Sequence, residues 1–256
     1  MKIAFCALKL KLSAQIRQKM QLKSEQMRTT PSGKYIKNNH ANGDYWAFVP
    51  NPLPPQISYD NELMYLGMEA QRYLSELGVR CNQLPNPRLF VSAFIRKEAE
   101  FSCQIEGTKA SIKDVMEDEA GVEREDAPKD TLDIVNYLKA LEKGIEILEH
   151  TEISLWFIRI IHEQLVEHQK DKEPGKFRET QNQVGGIAYH PATADFVPPP
   201  PLEMQQALNE LEEYIKTNSD LPCLIKIALI HAQFETIHPF CDGNGRLGRI
   251  LITLQL

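Results

Sequence analysis

Near its end, the chain concentrates groups that suit phosphate chemistry in residues 238–249. The run reads His-Pro-Phe-Cys-Asp-Gly-Asn-Gly-Arg-Leu-Gly-Arg. Gly243 and Gly245 allow successive N–H groups to converge, and a helix that begins there adds unpaired donors and the positive end of its dipole. Arg246 and Arg249 are three residues apart, so both lie on one side of that helix. The sequence therefore predicts a binding site for a polyphosphate.

Two further residues of this run indicate what happens to the bound polyphosphate. Asp242 offers a hard carboxylate oxygen, which is the kind of ligand that Mg²⁺ takes when it also binds substrate phosphates. His238 is suited to general-base catalysis because the ordinary pKa of imidazole lies near neutrality. The alternative is a glycine-rich helix start with incidental charges. We favour an active site, because base, metal ligand, anion site and cations all occur within twelve residues.

Position for position, this run resembles the H-P-F-x-[D/E]-G-N-G-R-x-x-R signature of Fic-domain proteins. Residues 102–107 are similar to the [S/T]-x-x-x-E-[G/N] inhibitory motif of the same Fic/Doc family, in the class that carries the motif N-terminal to the Fic core. The resemblance implies an all-α fold: a Fic helical bundle with a small β-hairpin flap and an N-terminal helical portion. Glycine at position 245, where related Doc kinases carry lysine, favours nucleotidyl transfer over phosphorylation.

The resemblance also implies an activity, that of a nucleotidyltransferase. The enzyme would be a protein adenylyltransferase that moves AMP from ATP to a Ser, Thr or Tyr hydroxyl of a protein, including itself. His238 would deprotonate the hydroxyl, and Asp242 would hold Mg²⁺ beside the phosphates. The residues implied to bind ATP are Gly243, Asn244, Gly245, Arg246, Leu247, Gly248 and Arg249.

Glu106 is expected to regulate this activity. A carboxylate in the last turn of a helix faces the negative end of the helix dipole, so it gains from a cationic partner. The resemblance names Arg249 as that partner, with Ser102 one turn earlier helping to hold the glutamate. Such a pair would withdraw Arg249 from the γ-phosphate and keep the enzyme inactive. A solvated glutamate is the alternative.

Helices must position these groups, because apolar residues recur at helical spacing over most of the chain. Asp60 is a suitable N-cap for the first helix and Gly78 a suitable stop. The segment before His238 is apolar on nearly every side, which predicts a helix buried within a bundle. The predicted helices cover about residues 60–77, 87–105, 132–148, 153–166, 202–215 and 221–237.

Residues 183–197 form what we expect to be the only strand-like region, with two short runs around a turn. This hairpin has the place of the family's flap, and the resemblance implies that an extended segment of a protein substrate docks on it by main-chain hydrogen bonds. A plain surface hairpin is the alternative interpretation.

Three parts of the chain are predicted. Residues 1–57 form an extended N-terminal arm, pinned by burial of Tyr45, Trp46 and Phe48. Residues 58–125 form an N-terminal helical portion that includes the inhibitory helix. Residues 126–256 form the Fic domain, which is expected to be truncated at its C-terminus because the chain stops inside an apolar run.

The composition predicts an ordinary globular protein, with 42% hydrophobic and 25% charged residues among 256. A net charge of −6 gives no reason to expect a nucleic-acid partner. Five cysteines without a C-x-x-C pair argue against disulfides and zinc, and they favour a cytoplasmic location. His162 and His168 are six residues apart, which does not fit the H-E-x-x-H zinc motif. No apolar run is long enough to span a membrane.

Two other functions remain open at this point. The same residues would serve the reverse reaction, the hydrolytic removal of AMP, with Glu106 positioning a water. Truncation could instead leave a non-catalytic interaction protein, and an ATP-binding assay would separate that case from the two enzymatic ones. The sequence does not specify the target protein or the oligomeric state.

Overall fold

The computed structural model describes residues 29–38, 44–122, 128, 130–185 and 191–256, with the side chains of residues 87–89 and 192 left out. The described part of the chain is mainly helical, which confirms the predicted fold class. Its α-helices are α1 (Asn61–Asn82), α2 (Pro87–Ile105), α3 (Ile112–Glu119), α4 (Thr131–Leu148), α5 (Leu155–Leu165), α6 (Pro201–Lys216), α7 (Cys223–Ile237) and α8 (Asn244–Gln255).

Helix α1 begins where the sequence predicts but ends later. The Asp60 side chain accepts a hydrogen bond of 2.7 Å from Leu63 N, as an N-cap does. The prediction that Gly78 stops this helix is wrong, since the helix continues to residue 82. Gly78 lies on an open face, where no atom of the described residues is within 4 Å of the position of a Cβ. Glu76 and Arg80 pair on the same helix at 2.6 Å. A solvent-facing glycine inside a helix costs only about 1 kcal/mol, which the helix tolerates.

Helix α2 has the predicted bounds, whereas no prediction covers α3. Helix α3 begins with a capping box: the Ser111 side chain accepts from Asp114 N, and the Asp114 carboxylate accepts from Ser111 N at 2.8 Å. Its short length and low hydrophobic content explain why apolar spacing does not reveal it.

Strands precede the helices, so the expectation that residues 183–197 are the only strand-like region is wrong. Strands β1 (Thr29–Thr30), β2 (Gly33–Asn38) and β3 (Tyr45–Pro50) form an antiparallel sheet in the order β1-β2-β3. In β3, Tyr45 and Ala47 are buried while Trp46 is exposed, which is the alternation of a half-buried strand. The prediction that Trp46 is buried is therefore wrong, because its side chain lies on the solvent face of the strand. The many Pro, Gly and Asn residues around the strands favour a loop and hide this short alternation. Residues 1–28 of the predicted arm lie outside the described residues.

The ends of the predicted flap join this sheet. Val184 and Phe196 form an antiparallel bridge, with hydrogen bonds of 2.9 and 3.0 Å between their backbones. Phe48 N donates to Val197 O at 2.9 Å, which connects β3 to the same segment. Residues 186–190, the tip of the predicted hairpin, lie outside the described residues. The flap base is therefore anchored on β3.

The main core fixes both ends of the segment that carries the predicted chemistry. On α7, Phe234 and Ile237 are fully buried, and on α8 Leu247 and Ile250 are fully buried. Full burial of one such side chain contributes about 1.5–3 kcal/mol. The loop between the two helices is thus held between rigid elements. None of the helices in the described residues is both long and apolar enough to cross a membrane.

Candidate active site

The loop of residues 238–243 connects α7 to α8 through two left-handed backbone positions. His238 has φ 50° and ψ 61°, and its N–H donates to Phe234 O at 2.9 Å, which closes α7. Gly243 has φ 74° and caps the start of α8. A left-handed conformation is unfavourable for histidine by about 1–2 kcal/mol, so the surroundings must impose it.

Arg178 supplies most of that restraint from below the loop. Its fully buried guanidinium donates to His238 O at 3.0 Å through Nε and to Pro199 O at 2.5 Å through Nη2. Nη1 donates to Thr180 O at 3.1 Å, and the Arg178 backbone N–H donates to Pro239 O at 2.9 Å. Burial lowers its pKa to about 10, so the group remains a cation at neutral pH. Nothing in the spacing of Arg178 indicates this role.

Two asparagines complete the restraint. Asn182 Nδ2 donates to His238 O and to Phe240 O, both at 3.1 Å. Asn244 pairs with the backbone of Phe240, accepting from its N–H at 2.9 Å and donating to its C=O at 2.8 Å. The Asn244 side chain is therefore committed to the loop, and its backbone N–H is the group left to contact a phosphate.

His162 also supports the loop, although its sequence context suggests only a zinc motif that the spacing to His168 rules out. Gly175 N donates to His162 Nδ1 at 3.0 Å, so Nε2 carries the hydrogen that bonds to Asp242 O at 3.0 Å. The ring stacks on Phe240 with centroids 3.7 Å apart and an interplanar angle of 9°. Burial lowers the pKa of His162 to about 4, so the ring is neutral. His162 lies on the buried stripe of α5, and a polar residue on such a stripe is the sequence signal that could have indicated its supporting role.

Six of the residues predicted for catalysis, metal binding and ATP binding meet in one cleft of about 110 Å³, together with the predicted inhibitory residue Glu106 and with Cys241. Three predicted ATP-binding residues, Leu247, Gly248 and Arg249, are not among the lining residues. Leu247 is fully buried in the core. The backbone of Gly248 contacts α7, where its C=O lies 3.2 Å from His231 Nδ1. The predicted residues at the cleft are His238, Asp242, Gly243, Asn244, Gly245 and Arg246.

His238 is in the protonation state that a general base requires. Burial lowers its pKa to about 4, so the imidazole is neutral at pH 7. Its Nδ1 lies 3.4 Å from Glu235 O. If Nδ1 carries the hydrogen, the lone pair is on Nε2 and can accept a proton.

Asp242 presents a carboxylate between cations at the edge of the cleft. Oδ1 accepts from Gly243 N at 2.6 Å and lies 3.7 Å from Arg246 Nη2, and Oδ2 lies 3.8 Å from Lys172 Nζ. The side chain is 41% exposed. Within the described residues no group of three possible metal ligands occurs, so a cation here would depend on one carboxylate and on oxygens of the substrate.

Arg249 lies on α8 with its guanidinium directed at the end of α2. Its Nη2 donates to Glu106 Oε1 at 2.6 Å and to Ser102 O at 3.0 Å, and its Nε donates to Ser102 Oγ at 2.7 Å. A Cβ at Gly245 would lie 3.2 Å from the Glu106 Cδ and 3.1 Å from Arg249 Nη1. The three residues predicted to form the inhibitory contact are therefore together, with the glutamate against the start of α8.

Arg246 has a different carboxylate as its main partner. Its Nη1 donates to Asp133 Oδ1 at 2.8 Å, and its side chain is 5% exposed. Asp133 lies near the start of α4, and no sequence pattern connects it with the loop.

Comparison with known proteins gives consistent relatives. The profile of the Fic/DOC family matches residues 152–256, and the profile of the Fic/DOC family N-terminal region matches residues 65–146. A probable protein adenylyltransferase from Aquifex aeolicus is 30% identical over 178 residues, which cover 65% of this chain and 49% of the relative. The protein adenylyltransferase Fic of Drosophila grimshawi is 30% identical over 176 residues, 63% of this chain and 34% of the relative. The chain thus spans half or less of the length of these relatives.

Solved structures show the same fold. A Fic family protein from Desulfovibrio desulfuricans aligns with a TM-score of 0.62 at 23% identity, covering 79% of this chain and 59% of the other. Fic-1 from Caenorhabditis elegans aligns with a TM-score of 0.58 at 18% identity, covering 75% of this chain and 58% of the other. With the two profiles matching in succession from residue 65 to the end of the sequence, the chain belongs to the Fic/DOC family.

Proposed function

We propose that the chain is a protein adenylyltransferase, which transfers AMP from ATP to a protein hydroxyl and is inhibited by its own Glu106. One observation carries the proposal. A neutral His238, the carboxylate of Asp242 and the N-terminus of α8 line the same cleft. Such a cleft supplies a base, a metal ligand and an anion site at once.

The reaction follows from what these groups can do. His238 accepts the proton of a Ser, Thr or Tyr hydroxyl, and the hydroxyl oxygen bonds to the α-phosphorus of ATP. The bond between the α-phosphorus and the oxygen bridging to the β-phosphate breaks, and pyrophosphate leaves with that electron pair. Backbone N–H groups at residues 243–245 and the guanidinium of Arg246 bind the phosphate oxygens. The loop fixed by Arg178 keeps the base and the anion site in register.

Asp242 is the residue that would hold Mg²⁺. A single exposed carboxylate beside an anion site fits the preference of Mg²⁺ for one or two carboxylates with substrate phosphates. Bound there, the cation would supply neutralisation of charge on the phosphates. Lys172 Nζ and Arg246 Nη2 lie 3.8 and 3.7 Å from the Asp242 carboxylate and balance part of its charge.

Inhibition rests on the ion pair between Glu106 and Arg249. The pair occupies the guanidinium that the resemblance assigns to the γ-phosphate, and the carboxylate lies against Gly245, where phosphate oxygens would bind. A negative charge at that place repels the anion that the start of α8 attracts. Glu106 thus blocks the productive position of ATP.

The protein substrate is proposed to dock on residues 183–197. An extended segment could add to the edge beside the Val184 and Phe196 bridge by main-chain hydrogen bonds. The anchoring of that bridge on β3 through Phe48 and Val197 would give the segment a fixed distance from His238.

The test uses ATP labelled at either the α- or the γ-phosphate, incubated with Mg²⁺, a lysate and the Glu106→Gly protein. The lysate without added protein is the control, because its own kinases transfer the γ-phosphate. Above that control, we expect additional protein-bound label from α-labelled ATP alone, and its loss in the Glu106→Gly/His238→Ala protein. Additional label from γ-labelled ATP would indicate phosphorylation and overturn the proposal. Loss of AMP from previously labelled protein, without any gain, would favour the hydrolytic reaction.

A further inference from the structure

Asp133 is a carboxylate that joins four segments of the fold at the edge of the proposed ATP site. Oδ1 accepts from Arg246 Nη1 at 2.8 Å and from Gln169 Nε2 at 3.1 Å, and His168 Nε2 lies 3.1 Å from it. Oδ2 accepts from Thr108 Oγ1 at 3.1 Å. The Asp133 side chain is 15% exposed. These contacts fix both oxygens of the carboxylate.

The guanidinium of Arg246 is only partly satisfied by this contact. Nη1 is bonded to Asp133, Nη2 is 3.7 Å from Asp242, and Nε is buried without a hydrogen-bond partner in the part of the chain that the structure describes. A buried guanidinium N–H without a partner is costly, and the planar fork of arginine matches phosphate oxygens. Arg246 also lines the cleft. The contact with Asp133 therefore holds Nη1, while Nε and Nη2 remain as donors that an anion could use.

We propose that Asp133 is a positioning residue for ATP binding, which acts by holding the guanidinium of Arg246 in the orientation that binds the phosphates. The inference rests on the proposed function only in taking ATP as the anion. Because arginine has several rotatable bonds, a free Arg246 would lose side-chain entropy when it binds a phosphate. Asp133 removes most of that cost in advance, which is preorganisation.

Through Thr108, Asp133 also contacts the segment that follows α2. Thr108 follows Glu106 by two residues, and its hydroxyl bonds to the carboxylate that holds Arg246. Next to it, Lys109 N and Ala110 N donate to Asp130 at 2.6 and 3.2 Å. The segment after α2 is thus tied to the start of α4 by two aspartates, of which Asp133 alone also contacts Arg246.

The neighbouring aspartate supplies a matched control. Asp130→Ala removes one tie of the segment after α2 and leaves Arg246 untouched, whereas Asp133→Ala removes the partner of Arg246. Asp133→Asn keeps an oxygen that can accept from Nη1, so it should rescue part of the effect. All variants are made in the Glu106→Gly protein, so that a change in inhibition does not contribute.

The measurement is the affinity for ATP with Mg²⁺ by titration calorimetry, together with KM and kcat for transfer from α-labelled ATP. We expect Asp133→Ala to weaken ATP binding and raise KM about tenfold or more, the range for a lost charge-assisted hydrogen bond. The value of kcat should change far less, Asp133→Asn should lie between, and Asp130→Ala should match the parent protein. In an Arg246→Ala protein, adding Asp133→Ala should have no further effect.

Several outcomes would overturn the inference. Equal affinities in the parent and both Asp133 variants would do so, as would an additive loss in the Arg246→Ala background. A loss in Asp133→Ala that accompanies a lower melting temperature and is absent from a well-folded Asp133→Asn would assign a structural role instead. If the Glu106→Gly protein binds no ATP, both the proposed function and this inference fail. If it binds ATP but transfers no AMP, the proposed function alone fails.

Discussion

Glu106 and Arg249 form a charge-assisted hydrogen bond of 2.6 Å although 143 residues separate them in the chain. The arginine side chain is 9% exposed and the glutamate 41%. Ser102 accepts from the same guanidinium through both its hydroxyl and its carbonyl. These contacts bind the end of α2 to α8 at the place where ATP is proposed to bind. They occupy Arg249, the side chain that is proposed to bind the γ-phosphate.

Ser102 contributes to this contact through a hydroxyl that a small substitution removes. Ser102→Ala deletes the 2.7 Å hydrogen bond from Arg249 Nε to the serine hydroxyl. The hydrogen bond from Arg249 Nη2 to Glu106 remains. A hydrogen bond to a charged group contributes about 1.5–3 kcal/mol. We expect AMP transfer to rise by a few-fold, less than in Glu106→Gly, because the glutamate remains. Initial rates with α-labelled ATP measure this. Wild-type rates in Ser102→Ala would show that the serine does not support the inhibited state.

The pH dependence of transfer should report the environment of His238. Its pKa is lowered to about 4 by burial, so the imidazole is neutral and able to accept a proton throughout the neutral range. Transfer by Glu106→Gly should therefore stay flat from about pH 8 to pH 6 and fall only as the pH approaches 4. Initial rates at saturating ATP, with folding monitored by circular dichroism, provide the measurement. A half-maximal rate near the ordinary histidine pKa of about 6.5 would contradict the account.

His162 should make the fold sensitive to acid. Its folded pKa of about 4 lies below the unfolded value, so the unfolded chain binds more protons between about pH 6.5 and 4. The stability that this difference contributes is fully present above pH 6.5 and is lost as the pH falls toward 4. His162→Gln keeps a donor and an acceptor without the titration, so its free energy of unfolding should fall less steeply in this range. Urea unfolding at several pH values measures both slopes, and parallel curves would refute the prediction.

We expect that lysine cannot replace Arg178, although it carries the same charge. Lysine at this position keeps the charge, but its single ammonium cannot reach the carbonyls of residues 180, 199 and 238 that the guanidinium bonds together. We expect Arg178→Lys to lower the free energy of unfolding by about 2–4 kcal/mol, since several buried acceptors lose their donors. Transfer should be lost with the loop geometry. The exposed Arg80→Lys serves as the control, and a similar unfolding free energy in both variants would be the contrary result.

The sequence predicts the residues that carry out the chemistry better than the residues that hold the loop in place. His238, Asp242 and the glycines can be found because their types and spacing within one loop already describe a site. Arg178, Asn182 and His162 hold that loop from 56 to 80 residues away, and their contacts depend on how α5 and residues 178–182 pack beneath it. Apolar spacing predicts that α5 is a helix, but not which of its polar side chains faces the loop.

Leu247 and Gly248 show that one role cannot be assigned to every residue of a motif. A resemblance covers consecutive residues, whereas a helix directs them to different sides. Gly245 and Arg246 face the cleft, while Leu247 enters the core and Gly248 approaches α7. A Cβ at position 248 would lie 3.1 Å from the His231 ring, so the glycine allows the two helices to pack closely. The helical period alone could have separated these two roles.

For a related reason, the sequence does not predict the three-stranded sheet. Strands of six residues are too short to show a clear alternating pattern. They are stabilised by contacts with neighbouring strands more than by the intrinsic propensities of their residues. Helix α4, with its long apolar stripe, and helix α7, which is apolar on nearly every side, are predictable because each carries its own pattern. The position of β3 against Val197 depends on the completed fold.

The central claim is that Glu106 restrains an adenylyltransferase, and the most direct test compares AMP transfer by three proteins. Wild type, Glu106→Gly and Gln104→Gly are incubated with Mg²⁺ and α-labelled ATP, and protein-bound label is counted. Gln104 is an exposed residue in the same turn of α2, so its glycine variant reproduces the loss of helix propensity without touching Arg249. The account predicts an increase of about tenfold or more in Glu106→Gly alone, from the release of a charge-assisted hydrogen bond. Equal labelling in all three proteins, or an equal rise in both variants, would contradict it.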